Sequence, residues 1–312
     1  MNDALIESPG GIVRETRDML EQYIKAEVIH ISVSDAGTSL SVPAVRKGND
    51  VQIIPLSEFE NYRQRPRFRH GTAIMLSLES LIEHANRFKD LESVFFANND
   101  RAAPTMTVVL DYHPSGAASA PRFGKHRGHY AFPLSDEWKA WMDANGKPMK
   151  MAAFAEFLEE RIIDVQYLIP GEDEISEDLQ KFITACGGDG TIATPQRLME
   201  LARGLQVYES SAVKEAVRLA SGEGQVSFDV THHDQDGKPL TIPGLFILAI
   251  PVFKMGAFYR IAARLRYRKT GEGIVFWYDL WRTDRTFDHA FDEACELVKA
   301  ETGLPVLLGK PE

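Results

Sequence analysis

Near the end of the chain, polar and apolar positions alternate with period two. Ala263, Leu265 and Tyr267 alternate with Arg264, Arg266 and Arg268, and after Thr270-Gly-Glu-Gly273 the run Ile274–Trp281 alternates again. Successive side chains of a strand point to opposite faces, so the pattern predicts a hairpin carrying its three arginines on one face over roughly 14 Å. Arg260 extends the row. On the returning strand, Val275, Trp277, Asp279 and Trp281 form one set and Ile274, Phe276, Tyr278 and Leu280 the other. Register decides which set meets the arginines. Gln225–Thr231 and Leu245–Phe253 read as preceding strands of a β-meander. A final helix, Thr286–Lys299, presents Phe287, Ala290, Phe291, Ala294, Leu297 and Val298 as a core face.

The N-terminal third predicts a helix over Glu15–Lys25 and three short strands, Val28–Val33, Ser39–Val45 and Val51–Ile54. Ser77 is placed to cap a helix whose stripe is Leu78, Leu81, Ile82, Ala85 and Phe88. Ser93–Ala97 and Thr105–Tyr112 flank the turn-prone Asn98-Asn-Asp100, as in a hairpin. From Ser135, itself a cap, the periodicity becomes helical. Met149–Val165 reads as one helix, Cys186–Gly190 as a break, and Pro195–Gly204 and Ser211–Ala220 as further helices. The expected class is therefore α+β, with antiparallel meanders at both ends, a mainly helical middle and the last helix packed on the last sheet. Boundaries fall at 1–134, 135–224 and 225–312, the outer two regions being candidates for one continuous domain.

Composition bounds the chemistry. Of 312 residues, 44% are hydrophobic and 26% charged, ordinary globular usage. A net charge of −10 opposes coating of nucleic acid through the overall field and leaves local patches as the alternative. The two cysteines, Cys186 and Cys295, have no ligand-like spacing, which fits a reducing cytoplasm. Met1–Gly11 lacks the basic start and apolar core of a secretory signal. The longest apolar run, Gly244–Phe253, is about half a membrane span and contains Pro251, so it reads as a buried strand and no membrane association is expected.

Besides the hairpin, two basic clusters stand out: Arg63, Arg65, Arg67 and Arg69 with Tyr62 and Phe68, around Pro66, and Arg122, Lys125, His126, Arg127 and His129. Arginines interleaved with aromatic rings suit a nucleic-acid or phosphorylated ligand. The commoner use of such charge is a solvated face or pairing with carboxylates of the same or another subunit, and in an acidic chain that use is favoured. Asp111 and His113, placed on one strand face, with His126 are the candidate catalytic groups. His232-His-Asp234 reads as a polar loop. No HExxH or paired CxxC is present, and no metal or cofactor is expected. The G-x-S-x-G, P-loop and GxGxxG patterns are likewise missing. Glu156, Glu159, Glu160 and Asp164 read as a solvated helix face, and Trp138 with Trp141 as core anchors.

Leu110-Asp-Tyr-His113, His126-Arg127, Glu137-Trp138 with Trp141, Phe154-Ala-Glu-Phe-Leu-Glu159 and Ala263-Arg-Leu-Arg-Tyr-Arg268 together resemble the YfdQ-like family of bacteriophage and prophage proteins, a domain of unknown function. Their order runs from about residue 70 to 305. The resemblance implies a phage or prophage origin and a bacterial cytoplasm, and it carries no catalytic assignment. The expectation is a binding protein, assembled as a homo-oligomer, whose arginine-rich surfaces meet nucleic acid, a phosphorylated ligand or another subunit. The alternatives are a metal-dependent enzyme on a phosphorylated or nucleic-acid substrate, and a structural or counter-defence protein that meets a host protein through the acidic Glu172–Asp178 segment.

Overall fold

The computed structural model describes residues 9–35, 38–55, 64–65, 68–116, 120–169, 173, 175–186, 192–200, 243–270 and 273–312. The expected strand Gln225–Thr231, the helix Ser211–Ala220 and the loop His232–Asp234 lie outside them. Of the expected Pro195–Gly204 helix, residues 195–200 are described and helical. The chain divides into two compact units, residues 1–70 and 71–312.

In the first unit, α1 (Pro9–Ile24) precedes the antiparallel sheet β1 (Glu27–Asp35), β2 (Thr38–Lys47) and β3 (Asp50–Ile53), in that order. The three expected strands are all present. Among its described side chains only Ala44 is a buried apolar one, while Val13, Met19, Leu20, Val28, Val51 and Ile53 are exposed.

Among its described residues the second unit holds two five-stranded sheets. In the first, β5 (Val94–Asn98), β6 (Thr105–Val109) and β7 (His126–Ala131) form the antiparallel centre. Its edges are parallel: β4 (Gly71–Met75) runs along β7, and β13 (Val306–Leu308) along β5. The antiparallel meanders expected at both ends are β1–β3 and the strands Leu245–Pro251, Phe258–Thr270 and Gly273–Leu280; this sheet adds two parallel edge strands that the spacing had not predicted. Each edge strand is separated in sequence from its partner by a long crossover that includes a helix, which is what a parallel pair requires. One crossover begins with α2 (Leu78–Phe88), capped as expected by Ser77, whose hydroxyl accepts from Ser80 N at 3.1 Å. This helix lies close to β7 because residue 128 is glycine: a Cβ there would stand 2.9 Å from His84 Cδ2 and 3.0 Å from Val108 Cγ1.

The second sheet is antiparallel throughout, in the order β8 (Met149–Lys150), β12 (Gly273–Leu280), β11 (Phe258–Thr270), β10 (Leu245–Pro251) and β9 (Val165–Gln166). The single helix expected over Met149–Val165 is shorter. Its ends are the strands β8 and β9, with α4 (Met151–Glu160) and a 3-10 turn (Ile162–Asp164) between them. Pairing with Val275 and Phe276 on one edge and Ile247 and Leu248 on the other overrides local helical preference. Among the described residues, the expected helical middle thus supplies both edge strands of the C-terminal sheet.

One face of this sheet packs on α3 (Asp136–Ala144) and α4. Phe276 stacks on Phe154 at 5.4 Å and Tyr278 meets Trp141 at 5.1 Å. Trp138 and Trp141 are buried, as expected. Ser135 caps α3 by accepting from Trp138 N at 2.9 Å. The Tyr278 hydroxyl donates to the Trp141 carbonyl at 2.6 Å, and the Trp141 indole N–H donates to Asp164 at 2.7 Å. Asp164 is therefore a buried acceptor rather than part of a solvated face; Glu156, Glu159 and Glu160 are exposed. Burial pushes the Asp164 carboxyl up against the lowering effect of the indole bond.

The last helix, α6 (Thr283–Thr302), buries Phe287, Ala290, Phe291 and Val298. Leu297, expected in the core, is 46% exposed. The helix meets β11, β13 and α2, so it serves both sheets rather than the last one alone. Phe132 touches Phe253 at 5.0 Å and Phe291 at 5.4 Å, joining the sheets in one core.

Candidate anion-binding surface

The register answers the question left by the alternation. Arg264 lies opposite Asp279, Arg266 opposite Trp277 and Arg268 opposite Val275. Directly opposed residues share a face, so Val275, Trp277 and Asp279 stand with the arginines while Phe276 and Tyr278 face the core. Lys150 lies opposite Val275 on the neighbouring edge strand and joins the same face. Arg264, Arg268 and Lys150 are exposed; Arg266 and Trp277 are half-buried.

The root of this face is covered. Leu245, Ile247 and Ala262 form a second apolar cluster with Leu168 and with Leu179 and Ile183 of α5 (Glu177–Ala185). Phe182 stacks on Trp281 at 4.6 Å, and the Arg282 guanidinium lies 4.6 Å from the same indole. Arg260 donates to Gln166 at 3.0 Å and to Asp173 at 2.9 Å. Asp178 accepts from Arg282 at 2.5 Å and Arg285 at 3.2 Å. Two carboxylates of the acidic segment are thus joined to arginines of this same chain. Glu172 and Glu174 lie outside the described residues.

The tip is composed differently. Arg266 Nε donates to Asp279 at 2.5 Å, with both side chains more than a third exposed. Exposed pairs of this kind contribute roughly 0–1 kcal/mol, so Asp279 is an exchangeable counter-ion. Arg268 lies 5.9 Å from the Trp277 ring centroid. Among the described residues no other ring lies against Trp277, in contrast to Trp281. Among the described residues, Arg264, Arg266, Arg268 and Lys150 thus flank one indole, with Asp279 opposite Arg264, a composition that attracts phosphate and offers an aromatic platform.

Lys150 was not legible from the sequence, because a two-residue strand leaves no periodic signal. Trp277 was legible only as one of two sets.

The other candidates lie on other elements or are committed elsewhere. Arg65 and Arg69 are exposed in the N-terminal unit; Arg63 and Arg67 lie outside the described residues. Arg127 donates to the carbonyls of Gly124 at 2.6 Å and Glu312 at 2.5 Å. Arg122 donates to Asp90 at 2.7 Å and holds that carboxyl below the usual range.

Asp111 and His113 follow the end of β6 at Val109 instead of sharing a strand face. The two Asp111 oxygens accept the backbone N–H groups of Lys125 at 3.1 Å and His126 at 2.9 Å, and His113 Nδ1 accepts that of Arg122 at 3.1 Å. These groups brace the loop before β7. The His126 ring turns instead toward α2, 6.0 Å from His84 and 5.1 Å from Phe88. No acid–base pairing of the three is formed. His84 Nε2 is buried with no hydrogen-bond partner among the described residues, and burial, reinforced by His126 and Arg87, lowers its pKa. Among the described residues no three His, Cys, Asp or Glu side chains gather as metal ligands.

The fold and this surface define a mixed α+β protein with a basic, tryptophan-centred sheet face. The chain belongs to a family of uncharacterized conserved proteins, DUF2303, whose model matches residues 21–311. No curated protein and no solved structure matches the chain. Among the described residues no helix is long and apolar enough to cross a membrane.

Proposed function

We propose that the protein works by binding, and that the tip of the β11–β12 hairpin holds a phosphate-bearing polymer, nucleic acid being the ligand class. The observation that carries this reading is the placement of Arg264, Arg266, Arg268 and Lys150 around Trp277, with Asp279 as the one carboxylate among these six residues. The net charge of −10 sets the scale. A chain repelled by polyanions overall binds them through a local surface where cations outnumber carboxylates. The resemblance to phage and prophage proteins supports a bacterial cytoplasm as the setting, where nucleic acid is abundant.

The test is binding of purified protein to DNA and RNA across a salt series. The expected result is an affinity that falls with salt, because each neutralised phosphate releases counter-ions. Replacing Arg264, Arg266 and Arg268 together by alanine should flatten that dependence. Salt-independent binding, or binding unaffected by the triple replacement, would refute the reading. Concentration-dependent self-association that the same replacement abolishes would instead assign the arginines to carboxylates of a second copy.

A further inference from the structure

We infer that the polymer at this surface is single-stranded and that one of its bases stacks on Trp277; the inference rests on the polyanion reading above. The geometry distinguishes base recognition from simple charge attraction. Trp277 sits in the middle of the arginine face, directly across from Arg266 and beneath Arg268, whose guanidinium lies 5.9 Å from its ring centroid. The three arginines follow one another every second residue, about 6.8 Å apart along β11. A strand running along them places its phosphates on the guanidinium row and its bases across the sheet toward β12, where Trp277 stands.

A duplex cannot use this arrangement. Its base faces are stacked inside the helix, so an indole on a sheet surface meets only sugar and phosphate. A single strand leaves its base faces available, and an aromatic ring flanked by cations receives them with little sequence preference. The contrast within the hairpin supports the same conclusion. Trp281, two ranks along on the same face, is stacked by Phe182 and covered by Arg282, whereas among the described residues Trp277 has only Arg268 over its ring. Val275 and Lys150 continue the platform beyond it, apolar surface next to positive charge.

The experiment compares three probes: a labelled oligothymidylate, a hairpin duplex of equal phosphate number, and inorganic polyphosphate as competitor. The proteins are the wild type, Trp277→Leu, Trp277→Phe and the triple arginine variant. The strand should bind about tenfold more tightly than the duplex, and Trp277→Leu should lose about tenfold for the strand. Trp277→Phe should recover most of that loss, and polyphosphate should compete equally against all three position-277 proteins. The strand should also quench tryptophan emission of the wild type, and polyphosphate should not. This readout remains informative if a variant misfolds.

Equal binding of strand and duplex, or an unchanged affinity in a folded Trp277→Leu protein, would overturn stacking while leaving the polyanion reading intact. Failure of all three probes to bind would overturn both. An oligouridylate arm separates RNA from DNA within the same chemistry.

Discussion

At the root of the β11–β12 hairpin, arginine and tryptophan are absorbed into the fold: Arg260 is hydrogen-bonded to Gln166 and Asp173, and Trp281 lies under Phe182. At the tip, four residues further along the same strand, the same residue types stand around Trp277 with one exposed carboxylate among them. The alternation that produced both ends is continuous. What differs is the neighbour. Position 262 is alanine and β10 contributes Leu245 and Ile247 at the root, giving α5 an apolar surface to bury; at the tip every second residue of β11 is a guanidinium. Among the described residues a helix docks at the root, where burial is favourable, and none at the tip, where docking would strip water from several charges.

The sharpest way to break the comparison is from beneath. Phe276 is fully buried under the tip and stacked on Phe154, so Phe276→Ala should cost about 3–5 kcal/mol in denaturant unfolding and abolish binding at the surface above it. At the root, Ile247→Ala should cost about 2–5 kcal/mol, because it opens the cluster under α5. Val275→Ala, on the same face at the tip, should stay within about 0.5 kcal/mol. Equal costs at the two positions would erase the distinction.

The triple alanine replacement of Arg264, Arg266 and Arg268 should leave the unfolding free energy within about 1 kcal/mol and lower the salt slope of nucleic-acid binding by about one per arginine lost. Asp279→Asn removes the competing counter-ion of Arg266. It should tighten strand binding two- to threefold, by an estimate based on the small strength of exposed pairs, and leave stability nearly unchanged. Titration calorimetry and melting of the same sample check both.

A further contrast separates this sheet from the other. His84, against β7, has its pKa lowered chiefly by burial and then by His126 and Arg87. A depressed histidine pKa means that the unfolded chain takes up protons first. The stability is therefore fully present above about pH 6.5 and is lost as pH falls through that value toward the folded pKa. The melting temperature should decline between pH 7 and pH 5, and His84→Leu should flatten the decline. An unchanged profile would show that the ring is solvated.

Much of this architecture was readable from residue spacing. The caps at Ser77 and Ser135, the helix α6 and the β11–β12 hairpin each depend on interactions within a few residues, and all are found. Less accessible were features decided by partners far along the chain. Lys150 reaches the surface because two residues pair with Val275 and Phe276. Asp164 looked like one more helix carboxylate until the turn at Ile162 delivered it to the Trp141 indole. Leu297 fits the helical stripe, yet no described neighbour buries it fully.

The period of two fixed by strand covalent geometry determined that Arg264, Arg266 and Arg268 share a face; no packing was needed for that. Which residues of the returning strand join them was a matter of register. A one-residue slip would have brought Phe276 and Tyr278 to the arginines and sent Trp277 into the core. Tertiary structure settled it, because Phe276 and Tyr278 fill the space beneath α3 and α4 and Trp277 with Asp279 are left to the charged side.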